Sequence, residues 1–77
     1  MEKLDKESEE TILLIAEKIK TLRKEKGYTS YETFAFDYNI NRVQYHRIEK
    51  GQNITLKTLI NVLKIHNLTI QDFFKDL

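Results

Sequence analysis

Three times in its second half this chain repeats one short arrangement: an apolar residue, a polar residue directly after it, and a second apolar residue four positions further on. Ile40-Asn41 leads to Tyr45, Ile54-Thr55 to Leu59, and Leu68-Thr69 to Phe73. At a helix start, an Asn or Thr side chain accepts a hydrogen bond from a first-turn amide, and the flanking apolar pair closes over that turn as a hydrophobic staple. Asn41 and Thr69 also have Gln44 and Asp72 at the position from which a capping box reaches back, Asp being the weaker form. Starts so closely spaced permit short helices only.

The ends are marked as clearly. The 77 residues contain no proline and two glycines, Gly27 and Gly51, each directly after a lysine. Glycine takes the left-handed conformation that closes a helix, and a basic residue suits the negative end of the dipole. Upstream of Gly27, Ile12, Ile15, Ile19 and Leu22 recur at spacings of three and four, with Ser8 as N-cap and Glu9 and Glu10 in the first turn. A further start falls at Thr29, where Glu32 would complete a capping box, or at Ser30; the local sequence leaves both open. The predicted helices cover 8–26, 30–37, 41–50, 55–65 and 70–75. The expected fold is all-α: one compact five-helix domain over 1–77, with 1–10 as a charged extension. The link Tyr38-Asn39-Ile40 forces a steep crossing of the second and third helices, with Ala35 at their closest approach and Asn39 able to turn left-handed.

Leu, Ile, Val and Phe number 24, enough for a core in a chain this short. The absence of cysteine excludes disulfides, thiolate metal sites and thiol catalysis. MEKLDKESEE is charged where a secretory signal needs an apolar run, and no stretch approaches membrane-spanning length. A soluble, cytoplasmic protein without a membrane partner is expected. Net charge is only +1, but it is unevenly placed. Residues 1–10 carry two lysines against five acids, residues 17–57 carry nine basic residues against five acids, and residues 58–77 balance. The positive charge is concentrated in the middle of the chain.

The middle contains NRVQYHRIEKG, residues 41–51. At about 100° per residue, with Arg42 at 0°, Tyr45 and Ile48 project near 300° and 240°, while Arg42, Val43, His46, Arg47 and Lys50 cover about 0–140°. One face anchors the helix. The other is a cationic strip with a small apolar residue in it, suited to a DNA major groove, where Arg donates twice to guanine and Val touches a thymine methyl. The competing reading is a solvated helix face. Glu49 projects toward the inner side, and Arg23 projects from the same side as the apolar stripe of the first helix. A guanidinium beside a core stripe needs a carboxylate, so an Arg23–Glu49 pair locking the third helix to the first is expected.

The stretch LRKEKGYTSYETFAFDYNINRVQYHRIEKG, residues 22–51, resembles the helix-turn-helix domain of phage repressor and Cro proteins, the Xre-like family. The likeness extends from about Ile15 to Phe74. It is carried by Arg23 before a basic segment ending in Gly27, by Phe34-Ala35 in place of the family's leucine-alanine pair, by Asn39 in place of its turn glycine, and by Ile48-Glu49-Lys50-Gly51. The resemblance implies a lambda-repressor-like fold and a DNA-binding transcription regulator. It assigns base reading to Arg42, Val43 and Arg47, with Asn41 and His46 at the edges. Phosphate contact is assigned to Ser30 and Tyr31, to Lys50 and to the loop Gln52-Asn53, with Lys57 a further candidate by its charge. Three departures stand out: an extra residue between Gly27 and Ser30, Tyr31 for the usual glutamine, and an aromatic second helix with Phe34, Phe36 and Tyr38.

Other signals are weaker. His46 and Glu49 form H-x-x-E, but no further ligand accompanies them, so no metal is expected. Ser8 and Ser30 read as caps, and catalytic or phosphate-loop motifs are lacking, so neither an enzyme nor a cofactor or small-molecule ligand is expected. Asn53-Ile54-Thr55 and Asn67-Leu68-Thr69 match the glycosylation sequon but read more simply as helix starts. The remaining Tyr and Phe residues are expected mostly in the core, and His66 is expected near a helix end. The partners expected are double-stranded DNA and a second copy of the chain, because one recognition helix reads too few base pairs to find a unique site. Leu13 and Leu14, off the core stripe, and Leu4, Phe74 and Leu77 near the chain ends could join the copies; alternatively the two ends fold over one another within a monomer. The runner-up function is a protein-interaction module of the same fold, an antitoxin or a regulator subunit.

Overall fold

The computed structural model describes residues 5–75 and 77. They form five helices, α1 (Lys6–Glu25), α2 (Tyr31–Asp37), α3 (Arg42–Glu49), α4 (Leu56–Ile65) and α5 (Ile70–Lys75), and no strand occurs among the described residues. The all-α, five-helix expectation holds.

The helix starts follow the local chemistry. Asn41 Oδ1 accepts from the Gln44 amide at 3.0 Å, Thr55 Oγ1 from Thr58 at 3.2 Å, and Ser30 Oγ from Thr33 at 3.3 Å, so Ser30 and not Thr29 caps α2. The box at Thr69 is reciprocal despite its short acid: Thr69 Oγ1 accepts from the Asp72 amide and Asp72 Oδ2 from the Thr69 amide. Each staple residue, Ile40, Ile54 and Leu68, packs against the core beside its buried partner, Tyr45, Leu59 or Phe73. One start differs from the sequence reading. α1 begins at Lys6, capped by Asp5, whose carboxylate accepts from the Ser8 amide at 2.7 Å. Ser8 is thus inside the first turn, and the hydrogen bond from its amide holds the Asp5 carboxyl below the usual carboxylate range.

Four helices end in the same way. The amides of Tyr28, Ile40, Gln52 and Leu68 reach back five residues to the carbonyls of Arg23, Ala35, Arg47 and Leu63. The residue before each of these amides has positive φ: Gly27 at 98°, Asn39 at 56°, Gly51 at 84° and Asn67 at 57°. This is the Schellman closure, which satisfies carbonyls that the last turn leaves open. Asn67, not anticipated as a left-handed residue, does for α4 what Asn39 does for α2.

The core gathers Ile19, Phe34, Ala35, Tyr45, Ile48, Leu59, Val62, Leu63 and Phe73. On α1 the buried line is Ala16, Ile19 and Arg23, so Ile12, Ile15 and Leu22 flank the core and do not form its centre. Phe34 is its aromatic hub, with Tyr28, Tyr38, Tyr45 and the face of His66 around it, all at ring-centroid distances of 4.9–5.6 Å. Phe36 is an exception to the expectation that Tyr and Phe are mostly core: it is 84% exposed. α2 is too short to bury three successive directions, and Phe34 and Ala35 take the two that face inward. Lys18 closes α5 against α1, donating its ammonium to the Phe73 carbonyl while lying over the Phe73 ring.

Candidate nucleic-acid interface

α3 is fixed from its inner side. Tyr45 and Ile48 are buried, and Glu49 accepts twice from the Arg23 guanidinium, Oε2 from Nε at 2.8 Å and Oε1 from Nη2 at 3.0 Å. The third guanidinium contact goes to the Tyr28 carbonyl, again at 2.8 Å. Arg23 therefore holds both α3 and the closing loop of its own helix. The side chains of the pair are only 4% and 6% exposed. Hydrogen bonding to Glu49 raises the Arg23 pKa further, against the opposing effect of burial. The Tyr45 hydroxyl is buried beside the pair, and burial, reinforced by Glu49, pushes its ionisation far above the ordinary phenol range. Tyr28 completes the support: its hydroxyl donates to Asp37 at 2.7 Å, which moves its pKa up to about 12.

With the inner face so committed, the outer face of α3 is open. Arg42, Val43 and Arg47 are exposed, and His46 is half-buried. Lys50, the helix cap, is exposed, as are Gln52, Asn53 and Lys57 at the first turn of α4 and the loop before it. Asn41 and Ser30 lend their side-chain oxygens to capping, which leaves the Asn41 amide nitrogen and the Ser30 hydroxyl proton for outside partners. Two of the candidates meet across the turn: the Tyr31 ring stacks on the His46 imidazole, with centroids 4.5 Å apart and planes at 21°. Arg42 meets Glu32, Nη1 to Oε2 at 3.6 Å. His46 and Glu49, the H-x-x-E pair, are drawn to different partners, Tyr31 and Arg23.

Sequence reasoning passed over two residues of this assembly. Tyr28 supplies the carbonyl that takes the third Arg23 contact, and a backbone acceptor leaves no mark on residue type. Glu32 enters the sequence reading only as the partner of Thr29 in one of two possible helix starts, whereas its carboxylate lies toward Arg42 of α3.

A short helix held down by a buried pair, following another short helix after a left-handed Asn turn, with a cationic outward face, defines a helix-turn-helix protein. The chain belongs to the helix-turn-helix family of DNA-binding regulators: the family's profile matches residues 19–73. Among curated proteins it is similar to control protein C.MunI of Mycoplasma sp, with 36% identity over 61 residues that cover 78% of this chain and 82% of that protein. No solved structure matches it significantly. The family match begins inside α1, so the first turns of that helix lie ahead of it. Among the described residues, no helix is long and apolar enough to cross a membrane.

Proposed function

We propose that this chain is a transcription regulator that binds duplex DNA sequence-specifically, with α3 in the major groove. The observation that carries the reading is the division of α3 into a buried, ion-paired inner face and an outer face presenting Arg42, Val43 and Arg47 to solvent. An immobilised helix can bring those side chains to base edges without first being ordered. Asn41 and His46 flank them. Lys50, Gln52, Asn53 and Lys57 lie along one continuous stretch beyond the end of α3, and Ser30 caps α2; these are assigned to the phosphates on either side of the groove, whereas the Tyr31 ring is turned onto His46.

The reading extends to a two-fold dimer, whose recognition helices would lie about 34 Å apart on inverted half-sites. Leu13, Leu14, Phe74 and Leu77 are each exposed by 39% or more, and such residues are available to join two copies. Leu4 lies outside the described residues. Sedimentation equilibrium of Leu14→Glu tests this: a folded monomer with weakened binding supports the dimer, while loss of stability at unchanged association state rejects it. A DNA partner accords with the expected cytoplasmic location.

Selection of bound sites from random duplex DNA, followed by titration in salt, tests the central reading. A consensus with inverted half-sites is expected, and affinity should fall by about 0.9 log units per log unit of salt for each phosphate contacted. One observation favours a second reading, a protein-interaction module: Phe36 offers an apolar ring to solvent on the outward side of α2. Binding to a protein through that surface would show little salt dependence, and no DNA consensus would emerge.

A further inference from the structure

Two contacts tie the first turn of α2 to the outward side of α3, and they differ in kind. Glu32 and Arg42 meet at 3.6 Å through side chains 56% and 69% exposed. A pair so long and so wet is weak, screened by salt, and easily exchanged when a phosphate or a guanine approaches. The Tyr31–His46 stack is neutral when the imidazole is unprotonated, joins two half-buried rings, and holds at 4.5 Å with near-parallel planes. Salt does not loosen it. Arg42 and His46 are themselves one turn apart on α3, so the stack fixes one of two neighbouring outward side chains and leaves the other exchangeable.

Imidazole makes its hydrogen bonds through the ring edge, and covering one face leaves that edge free. Stacking on Tyr31 restricts rotation of the His46 ring and so removes part of the ordering cost that a free side chain would carry into a complex. The edge nitrogens remain available, one as donor and one as acceptor in the neutral ring, both as donors in the cation.

We propose that Tyr31 is a positioning residue for sequence readout, holding the His46 imidazole edge-on so that His46 discriminates one base pair of the site. This rests on the reading of α3 as the base-reading helix. A phosphate contact by Tyr31 would affect every DNA sequence alike. A positioning role affects only the base pair that His46 reads.

A double-mutant cycle on the full chain separates the two. Wild type, Tyr31→Ala, Tyr31→Phe, His46→Ala and the double variant Tyr31→Ala/His46→Ala are titrated with the selected duplex and with duplexes changed at single base pairs. His46→Ala is expected to lower discrimination at one base pair by about three- to tenfold. Tyr31→Ala should lower it at the same base pair, the double variant should be no worse than His46→Ala, and Tyr31→Phe, which keeps the ring, should retain it. Uniform weakening on all duplexes by Tyr31→Ala, additive with His46→Ala, would overturn the proposal. Tyr31→Leu, which fills the space without a π face, takes the place of Tyr31→Ala should the latter not fold. In the free protein, the His46 ring protons should show an upfield ring-current shift that Tyr31→Leu abolishes; unshifted protons in folded wild type would equally reject the stack. A wild type without any base preference removes the base-reading assignment of α3 and this proposal together, whereas a wild type with preference and an additive cycle removes only the role of Tyr31.

Discussion

Among the described residues, two arginine–glutamate pairs join neighbouring helices, and they have little in common beyond residue type. Arg23 and Glu49 meet through two short hydrogen bonds, nearly without water, where α1 supports α3. Arg42 and Glu32 touch once, at 3.6 Å, with most of both side chains in solvent. In the first pair, each charge depends on the other, because removing one leaves its partner buried with nothing to replace water. In the second, water takes over at once. The contrast separates a joint that fixes the position of α3 from a surface contact whose arginine remains free to exchange partners.

The strongest way to break that contrast is to remove one partner from the buried side. Glu49→Ala should destabilise the fold by about 3–5 kcal/mol, a large share of what a domain this small possesses, and urea denaturation would read it. Replacing both partners by apolar residues, Arg23→Met with Glu49→Leu, should recover part of the loss but not all, since the Tyr28 carbonyl also loses its donor. Unchanged stability in Glu49→Ala, with DNA binding lost, would show that Glu49 acts at the interface and not in the joint.

A smaller effect is expected at the glycines that close α1 and α3. Alanine at Gly27 or at Gly51 must adopt positive φ, at a cost of about 1–2 kcal/mol in each case. At Gly27 the added methyl meets open space, whereas at Gly51 it would lie 2.5 Å from Cδ2 of Leu13. That atom is the end of a flexible side chain, so Leu13 must turn away and Gly51→Ala should cost more than Gly27→Ala. Adding Leu13→Ala should bring the two melting temperatures closer. Equal values for the single variants would show that Leu13 moves aside without penalty.

These cases also indicate how far residue order alone can be followed. Caps, staples and left-handed ends are local, and Ser, Thr, Asn and Gly mark them with their own side-chain chemistry, so five helices and the helix-turn-helix were legible. α1 misled because Asp5 and Ser8 both suit a helix start, and the amide of one bonds the carboxylate of the other. Phe36 misled because three aromatics on a seven-residue helix cannot be ranked by periodicity, and only the packed neighbours decide which two directions face inward. Helical projection places Arg23 and Glu49 on the inner sides of their helices, and the structure joins them. No spacing rule announces that Tyr31 lies on His46, since those residues belong to different helices and meet only through the turn.

His66 tests burial without a partner. Its ring lies flat on Phe34, its Nε2 is buried without a hydrogen bond, and burial, with a lesser contribution from Lys26, lowers its pKa below the ordinary 6.5. The unfolded chain therefore takes up this proton first as pH falls. Stability is fully retained above about pH 6.5 and declines as pH drops from there toward the lower folded value. His66→Phe should remove that part of the acid sensitivity in melting curves recorded between pH 7.5 and about 5. Identical acid dependence in wild type and variant would show that the imidazole stays hydrated in solution.

The smallest effect belongs to the exposed pair, and it sharpens the comparison because little should happen. Glu32→Gln removes the charge at the start of α2 but preserves size and polarity. Exposed pairs contribute about 0–1 kcal/mol, and a 3.6 Å contact between two mobile side chains belongs at the low end. Glu32 also lies in the first turn of α2, where its charge favours the helix dipole, so a loss of a few tenths of a kcal/mol can arise there with no contribution from Arg42. Arg42→Gln separates the sources: a true pair gives a non-additive double variant, whereas a dipole effect leaves Glu32→Gln unchanged in either background. Both contributions should fade as salt is raised. On DNA, the same Glu32→Gln change removes a negative charge beside the proposed interface, so affinity should rise modestly and equally for all sequences, most at low salt. A loss of stability comparable to that of Glu49→Ala would mean that the two pairs are alike after all, and that Arg42 is held too firmly to read a base.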